Sequence, residues 1–289
     1  MTSAAFGNWV KHRIGAAAVG HWGTLDPGAS GVLGLAVGQA TRLLPLISDA
    51  RKRYVFELIV GKITDTGDSA GRIVTTATVP PQWAQGLSGL LPGMLGPLEQ
   101  IPPMYSAVKV AGRRLHMSAR EGKTVDRAPR RTFVHELRVL GVYASSARLV
   151  VECDAGTYVR TLCEEIGRRL GVPAHMGALL RTAAGPFELA SAKLPAEIAA
   201  DPASCLIDPL SVLGQVRVVL QSADCRRFMH GNQVRLFDVA PDDEEVVVVH
   251  AEAPIGTGRL ISRGGELWLL PSRVLARGSQ GGVREGANG

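Results

Sequence analysis

A chain of 289 residues with a formal net charge of +6 is longer than the usual single domain of roughly 100–200 residues, so two domains are expected. Its composition, 46% hydrophobic and 20% charged, is that of a globular protein, and no apolar run approaches the roughly 20 residues that span a bilayer. Lys11, His12 and Arg13 interrupt the opening segment, and Cys153, Cys163, Cys205 and Cys225 are too scattered for a structural zinc site; both point to a cytoplasmic protein with reduced thiols and no metal.

In chain order, the spacing predicts a helix from Ser3 to Ile14, capped by Thr2 or Ser3, with Phe6, Trp9, Val10 and Ile14 on its core face. A turn-rich stretch follows from His21 to Ser30, then the apolar segment Gly31 to Leu46 and the basic Arg51-Lys52-Arg53. Tyr54 to Val60 reads as a strand bounded by Gly61, and Thr64 to Gly71 as a polar turn. Pro80 to Pro103, rich in Gly, Pro and Leu, reads as a short helix followed by an irregular connection.

Leu149 to Cys153 has strand character, and Asp154-Ala155-Gly156 turns the chain into a helix capped by Thr157 and closed by Gly171. Leu162, Ile166 and Leu170 mark its buried side; Glu164 with Arg168 and Glu165 with Arg169 are expected as exposed pairs four residues apart. From about Val216 the pattern changes to short strands, including Val246 to Val249 and Leu267 to Leu270, which predicts a small β-rich second domain. The stretch from Gly278 onward has little to bury and is expected to be disordered.

Charge is concentrated between Gly112 and Arg131. Seven cations, Arg113, Arg114, Arg120, Lys123, Arg127, Arg130 and Arg131, face only Glu121 and Asp126 there, a local net charge of +5. Such clustering suits a polyanion, because each neutralised phosphate releases counterions; a solvated surface loop is the other use of such a run.

The most specific stretch is Gly20-His21-Trp22-Gly23-Thr24-Leu25-Asp26-Pro27-Gly28-Ala29-Ser30-Gly31-Val32-Leu33. Asp26 precedes a proline that fixes backbone geometry, among glycines that permit close approach of a sugar; an isolated Leu-Asp-Pro also serves simply to hold a turn. Further segments follow in order: Arg53-Tyr54 with Thr64-Asp65-Thr66-Gly67-Asp68, Pro102-Pro103-Met104-Tyr105-Ser106-Ala107-Val108-Lys109, Gly156-Thr157-Tyr158-Val159-Arg160, and Leu179-Leu180-Arg181-Thr182 to Gly185-Pro186-Phe187. Together they resemble the TruB family of tRNA pseudouridine synthases over most of the first two hundred residues.

The resemblance implies an α+β catalytic domain over residues 1–212, a mixed, mainly antiparallel sheet flanked by helices, with an RNA-binding insertion at about 102–131. A PUA-like RNA-binding domain at 213–277 and a tail at 278–289 complete the expected layout. The implied reaction converts uridine 55 of the tRNA T-loop to pseudouridine. It breaks the bond from ribose to N1, turns the uracil and rejoins it through C5, with no cofactor. Asp26 would act either as nucleophile or as the base that permits detachment of the ring. Arg160 would pair with Asp26 and orient it, and Tyr54 would stack on the target base and handle a proton. Tyr158 and Leu179 would line the pocket, Asp68 organise the neighbouring loop, His21 contact the RNA beside the everted nucleotide, and Lys109, Arg113 and Arg114 grip the T-arm stem-loop.

The expected partner is tRNA, bound by a monomer without an obligate protein partner or a membrane. The alternatives are an RNA-binding, tRNA-folding member of the family with impaired catalysis, a glycosidase or nucleoside hydrolase, and a guide-RNA-dependent relative. A glycosidase typically places two carboxylates about the bond, and the motif offers Asp26 alone. Two departures stand out. Family members open with a strand ending in Lys-Pro-x-Gly-x-Thr-Ser, whereas this sequence opens at Met1-Thr2-Ser3; Met1 falls on the variable position, so the reading frame is expected to begin upstream. Trp22 replaces a small polar residue, either to stack on RNA or to pack against the fold.

Overall fold

Large apolar residues alternating along Tyr54, Phe56, Leu58 and Val60 give the strand Lys52–Val60 one buried face, the period of two that any half-buried strand requires. In the computed structural model, which describes residues 1–47, 51–106, 108–110, 112–237 and 244–275, this strand lies at the centre of the larger of two compact units. The described residues of that unit are 25–32, 51–106, 108–110 and 112–191; those of the second are 1–24, 33–47, 192–237 and 244–275. The tail expected at 278–289 lies outside the described residues.

The larger unit is a seven-stranded sheet in the order Phe187–Glu188, Ala174–Ala184, Lys52–Val60, Ser146–Cys153, Arg130–Val142 and Gly96–Gln100, all antiparallel, with Ala29–Gly31 added parallel to Ala174–Ala184. Register sets side chains in rows across the strands: Leu179, Phe56, Leu149 and Val139 in one, and Arg181, Tyr54, Val151 and Leu137 in the next. Helices Trp83–Leu90 and Val159–Leu170 supply Trp83, Leu87, Leu162, Cys163 and Ile166 to the same core. This is the mixed, mainly antiparallel α+β architecture that the family resemblance implied.

In the second unit, helix Ser3–Ile14 starts where the Thr2 hydroxyl accepts from Ala5 N–H at 3.1 Å and ends on Gly15 in the left-handed region. Its face differs from the reading: Ser3, Gly7 and Val10 are buried, while Phe6, Trp9 and Ile14 are half-buried. Trp9 stacks on Phe6, and the Arg13 guanidinium lies over the Trp9 ring, so the aromatic pair packs on its own helix. A five-stranded sheet, Arg217–Val219, Glu245–His250, Ala253–Arg263, Glu266–Val274 and Val234–Leu236, buries Cys225 and Phe228 of helix Ser222–Met229. The strands expected at Val246 to Val249 and Leu267 to Leu270 lie inside it. No helix among the described residues is long and apolar enough to cross a membrane.

Three local readings are corrected. Pro80 to Pro103 carries a sheet strand, Gly96–Gln100, after its helix. The helix after Cys153 begins at Val159, so Tyr158 and not Thr157 holds the cap position; the Thr157 hydroxyl donates instead to Asp154 O at 2.9 Å and bonds Thr132. Arg168 turns to Glu165, which it bonds through Nε and Nη2 at 2.7 Å, in place of the expected pair with Glu164.

Gly31 shows why the motif needs its last glycine: φ is +104° and a Cβ there would run into the backbone of Arg181. It serves close approach of strand to strand, whereas Gly28 has open space around it. Gly31→Ala is expected to lower stability by at least about 2 kcal/mol, read by urea unfolding, since both the backbone conformation and the contact oppose a side chain; a change within error would show that the loop adapts freely.

Candidate active site

The segment Asp26-Pro27-Gly28-Ala29 is a turn closed by Ala29 N–H donating to Asp26 O at 2.9 Å, with proline at its second position. The turn presents the Asp26 side chain, 37% exposed, to the guanidinium of Arg160, 3% exposed, with Nη2 3.0 Å from Oδ2. Arg160 is the second residue of its helix, near the positive end of the helix dipole, where a cation is unfavourable unless anions face it. Two do: Asp26, and Asp68 with Oδ2 3.9 Å from Arg160 Nε. Arg160 also donates to Thr66 O at 3.2 Å and to Tyr105 O at 2.8 Å.

Asp68 is tied in turn. Its Oδ1 accepts from the Thr66 hydroxyl at 2.6 Å and Ala70 N–H at 3.0 Å, while its backbone oxygen accepts from the Thr64 hydroxyl at 2.6 Å. The Thr64 to Gly71 turn is therefore built around one carboxylate that also faces Arg160.

Tyr54, on the central strand, is 7% exposed and in register with Arg181 on the neighbouring strand. Burial pushes its phenol up to about 12; the Arg181 guanidinium, which also bonds the phenol oxygen, opposes the rise, and the negative charge of Asp26 adds to it. Arg181 has no exposed surface, and its Nε donates to Val32 O at 2.8 Å. Leu179 is buried opposite Phe56 on one side and Ala29 on the other. Tyr158 is half-buried, and its backbone is clamped by the amide of Gln100, which accepts from Tyr158 N–H at 2.9 Å and donates to Tyr158 O at 3.2 Å.

Of the residues singled out from sequence, Asp26, Tyr54, Asp68, Tyr158, Arg160 and Leu179 are thus on one unit. His21 is on the other, on strand Val19–Trp22, where its Nε2 bonds the Thr24 hydroxyl at 3.2 Å. Lys109–Val110 and Arg113–Arg114 form a two-residue hairpin that sets Lys109 opposite Arg114 and Val110 opposite Arg113. Lys109 and Arg113 are exposed, and Arg113 forms an ion pair with Glu121.

Two residues went without a role in the sequence reading. Arg181 sat inside a quoted motif, but an arginine in a strand reads as solvent-facing. Gln100 fell in a stretch read as irregular, with no signal that its amide would be buried. A cavity of about 780 Å³, walled by Thr66, Gln100, Arg127, Thr161, Glu164 and Arg169 among others, adjoins these groups without including Asp26 or Tyr54. Burial raises the Glu164 carboxyl above its usual range, with Arg160 and Arg127 opposing. Among the described residues no group of three or more His, Cys, Asp or Glu side chains is placed to hold a metal.

A phenol whose pKa is about 12 in the folded chain, against its ordinary 10, favours folding below pH 10, and this contribution is lost as pH rises from 10 through 12. The stability difference between wild type and Tyr54→Phe, from urea unfolding, is therefore expected to shrink over that window, by up to about 2–3 kcal/mol; a difference independent of pH would refute the assignment of the buried phenol.

The TruB family pseudouridylate synthase N-terminal domain profile matches residues 11–159, and that of the tRNA pseudouridylate synthase B C-terminal domain matches residues 160–199. The tRNA pseudouridine synthase B of Symbiobacterium thermophilum is 43% identical over 235 residues, covering 80% of this chain and 78% of that protein. The protein of the same name from Dehalococcoides mccartyi is 36% identical over 258 residues, covering 87% and 86%. A chain in the crystal structure of a Cbf5-Nop10-Gar1 complex shares the fold, with a TM-score of 0.67 at 23% identity over 95% of this chain and 82% of that one. With its motifs in order, its sheet of the matching architecture and relatives aligned along most of its length, the chain belongs to the TruB family of pseudouridylate synthases.

Proposed function

We propose that this protein isomerises uridine 55 in the T-loop of tRNA to pseudouridine, with Asp26 as the essential side chain. The observation that carries the reading is the Asp26 carboxylate, accessible to solvent yet fixed by a buried guanidinium 3.0 Å away. The tRNA substrate is supported by the names of the relatives, tRNA pseudouridine synthase B, at 43% and 36% identity.

Pseudouridine formation exchanges one glycosidic bond for another: the N1–C1′ bond breaks, the C5–C1′ bond forms, N1 gains a proton and C5 loses one. No electrons enter or leave, so the demands on the protein are to evert the base, hold the sugar against a carboxylate and move one proton. Asp26 meets the second demand either as nucleophile or as base. Tyr54, close enough to feel the Asp26 charge, forms the floor on which the uracil turns, and its hydroxyl is the proton-handling group. Tyr158 and Leu179 complete the walls, and Asp68 shares Arg160 with Asp26.

RNA is gripped by the insertion at 102–131, whose hairpin carries Lys109, Arg113 and Arg114, and by His21; the exposure of Lys109 and Arg113 supports that role. Within the layout of a catalytic domain at 1–212, the β-rich portion from 213 to 277 adds a PUA-like RNA-binding surface. The protein acts as a monomer in the cytoplasm.

Pseudouridine mapped in tRNA treated with wild type and with Asp26→Asn tests the reading. The substitution is expected to abolish turnover while RNA affinity stays within about tenfold, because phosphate contacts dominate binding. Normal pseudouridine formation by Asp26→Asn sinks it, and release of free uracil by the wild type would point to a hydrolase.

A further inference from the structure

We infer that Arg181 is a positioning residue for this reaction, which aims the Tyr54 hydroxyl and locks the loop that carries Asp26 to the strand that carries Tyr54. The inference rests on the roles of Asp26 and Tyr54 proposed above.

Three contacts converge on Arg181. Its backbone oxygen accepts from Val32 N–H at 2.9 Å, and its side-chain Nε donates back to Val32 O at 2.8 Å, so both polar groups of the Val32 backbone are held by one residue. Gly31 packs so tightly on the Arg181 backbone that no side chain fits between them. On the neighbouring strand Arg181 is the register partner of Tyr54, which sets the two side chains on the same face of the sheet, and its guanidinium acts on the Tyr54 phenol. One buried side chain therefore spans from the end of the catalytic motif, six residues beyond Asp26, to the aromatic floor of the site.

The chemistry of the two groups fixes the direction of the hydrogen bond between them. A guanidinium has five N–H donors and no acceptor, so the Tyr54 oxygen accepts from Arg181 and the phenol's own hydrogen must go to a different acceptor. Arg181 thereby commits Tyr54 to donate toward the site. A lysine there would retain the charge, but it lacks the planar fork that reaches Val32 O and the phenol together. Burial of the charge is tolerated because carbonyl and phenol oxygens take the place of water around it. Lys52, on the Tyr54 strand, feels this charge: its pKa is lowered first by burial and then by Arg181.

Full-length protein carrying 3-fluorotyrosine tests the bond without reference to turnover. The fluorine resonance lost in Tyr54→Phe belongs to Tyr54, and Arg181→Lys is expected to shift it while Tyr105, Tyr143 and Tyr158 stay in place; an unmoved Tyr54 resonance in folded Arg181→Lys overturns the inference. The reciprocal measurement needs only the conservative Tyr54→Phe variant, in which the Arg181 guanidinium protons are expected to exchange with solvent faster than in wild type; unchanged exchange also overturns it.

In turnover on T-arm RNA, Arg181→Lys is expected to lower kcat about 10–100-fold with little change in KM, the cost of a misplaced group. In a Tyr54→Phe background the same substitution should cost less than about threefold, because the hydroxyl it aims is already gone. Equal losses in both backgrounds assign Arg181 to the fold alone and overturn the inference. Should Asp26→Asn stay active, the functional reading fails while the fluorine and exchange results still decide whether Arg181 holds Tyr54.

Discussion

The site depends on one ion pair, between a carboxylate that solvent reaches and a guanidinium that it does not. Removing a charge from water costs several kcal/mol, so Arg160 is stable at 3% exposure only because oxygens surround it. Those oxygens come from segments far apart in sequence: Asp26 in its turn, Thr66 and Asp68 in the polar loop, and Tyr105 at the base of the basic insertion. Meeting the needs of one arginine thus draws three loops together. The geometry of Asp26 is a consequence of that convergence as much as of its own turn.

The same constraint explains where the helix Val159–Leu170 starts. Its second residue is the arginine, so the positive end of the helix dipole and the guanidinium add to a local field that attracts anions. Gln100 clamps the backbone of Tyr158 from both sides and fixes the point at which the helix begins. Had Thr157 served as cap, the helix would start a residue earlier; its hydroxyl is instead turned to Asp154 and Thr132, which leaves the first turn to be anchored by the buried amide.

Much of this was legible in the sequence. Alternating apolar residues marked Tyr54 to Val60, β-branched runs marked Val246 to Val249, and Gly171 marked the end of a helix, because each signal is local and its physical cause lies within a few residues. The ordered motifs pointed to Asp26 and Arg160 before any geometry was known. What stayed hidden depends on distant partners. Glu164 is exposed as its helical position implies, yet it walls a cavity with Arg127, and Arg168 pairs with Glu165 instead of with it. That residues 1–24 and 33–47 gather with the described residues between 192 and 275 leaves no trace in composition, since the contacts join segments more than a hundred residues apart.

Arg181 is the clearest case, because local pattern gives the wrong sign: a charged residue in a strand predicts a solvent-facing position, and the side chain has no exposed surface at all. Its burial makes sense only beside Val32 and Tyr54. Among the described residues the larger unit then holds two buried arginines, one paired with the carboxylate of the proposed site and one in register with its phenol. Because a guanidinium keeps its proton in proteins and can only donate, each fixes its partner as an acceptor in a direction that pH near neutrality does not change. The two groups proposed to act on the nucleotide are thereby oriented before it arrives, and the cost of orienting them is met in folding and not during the reaction.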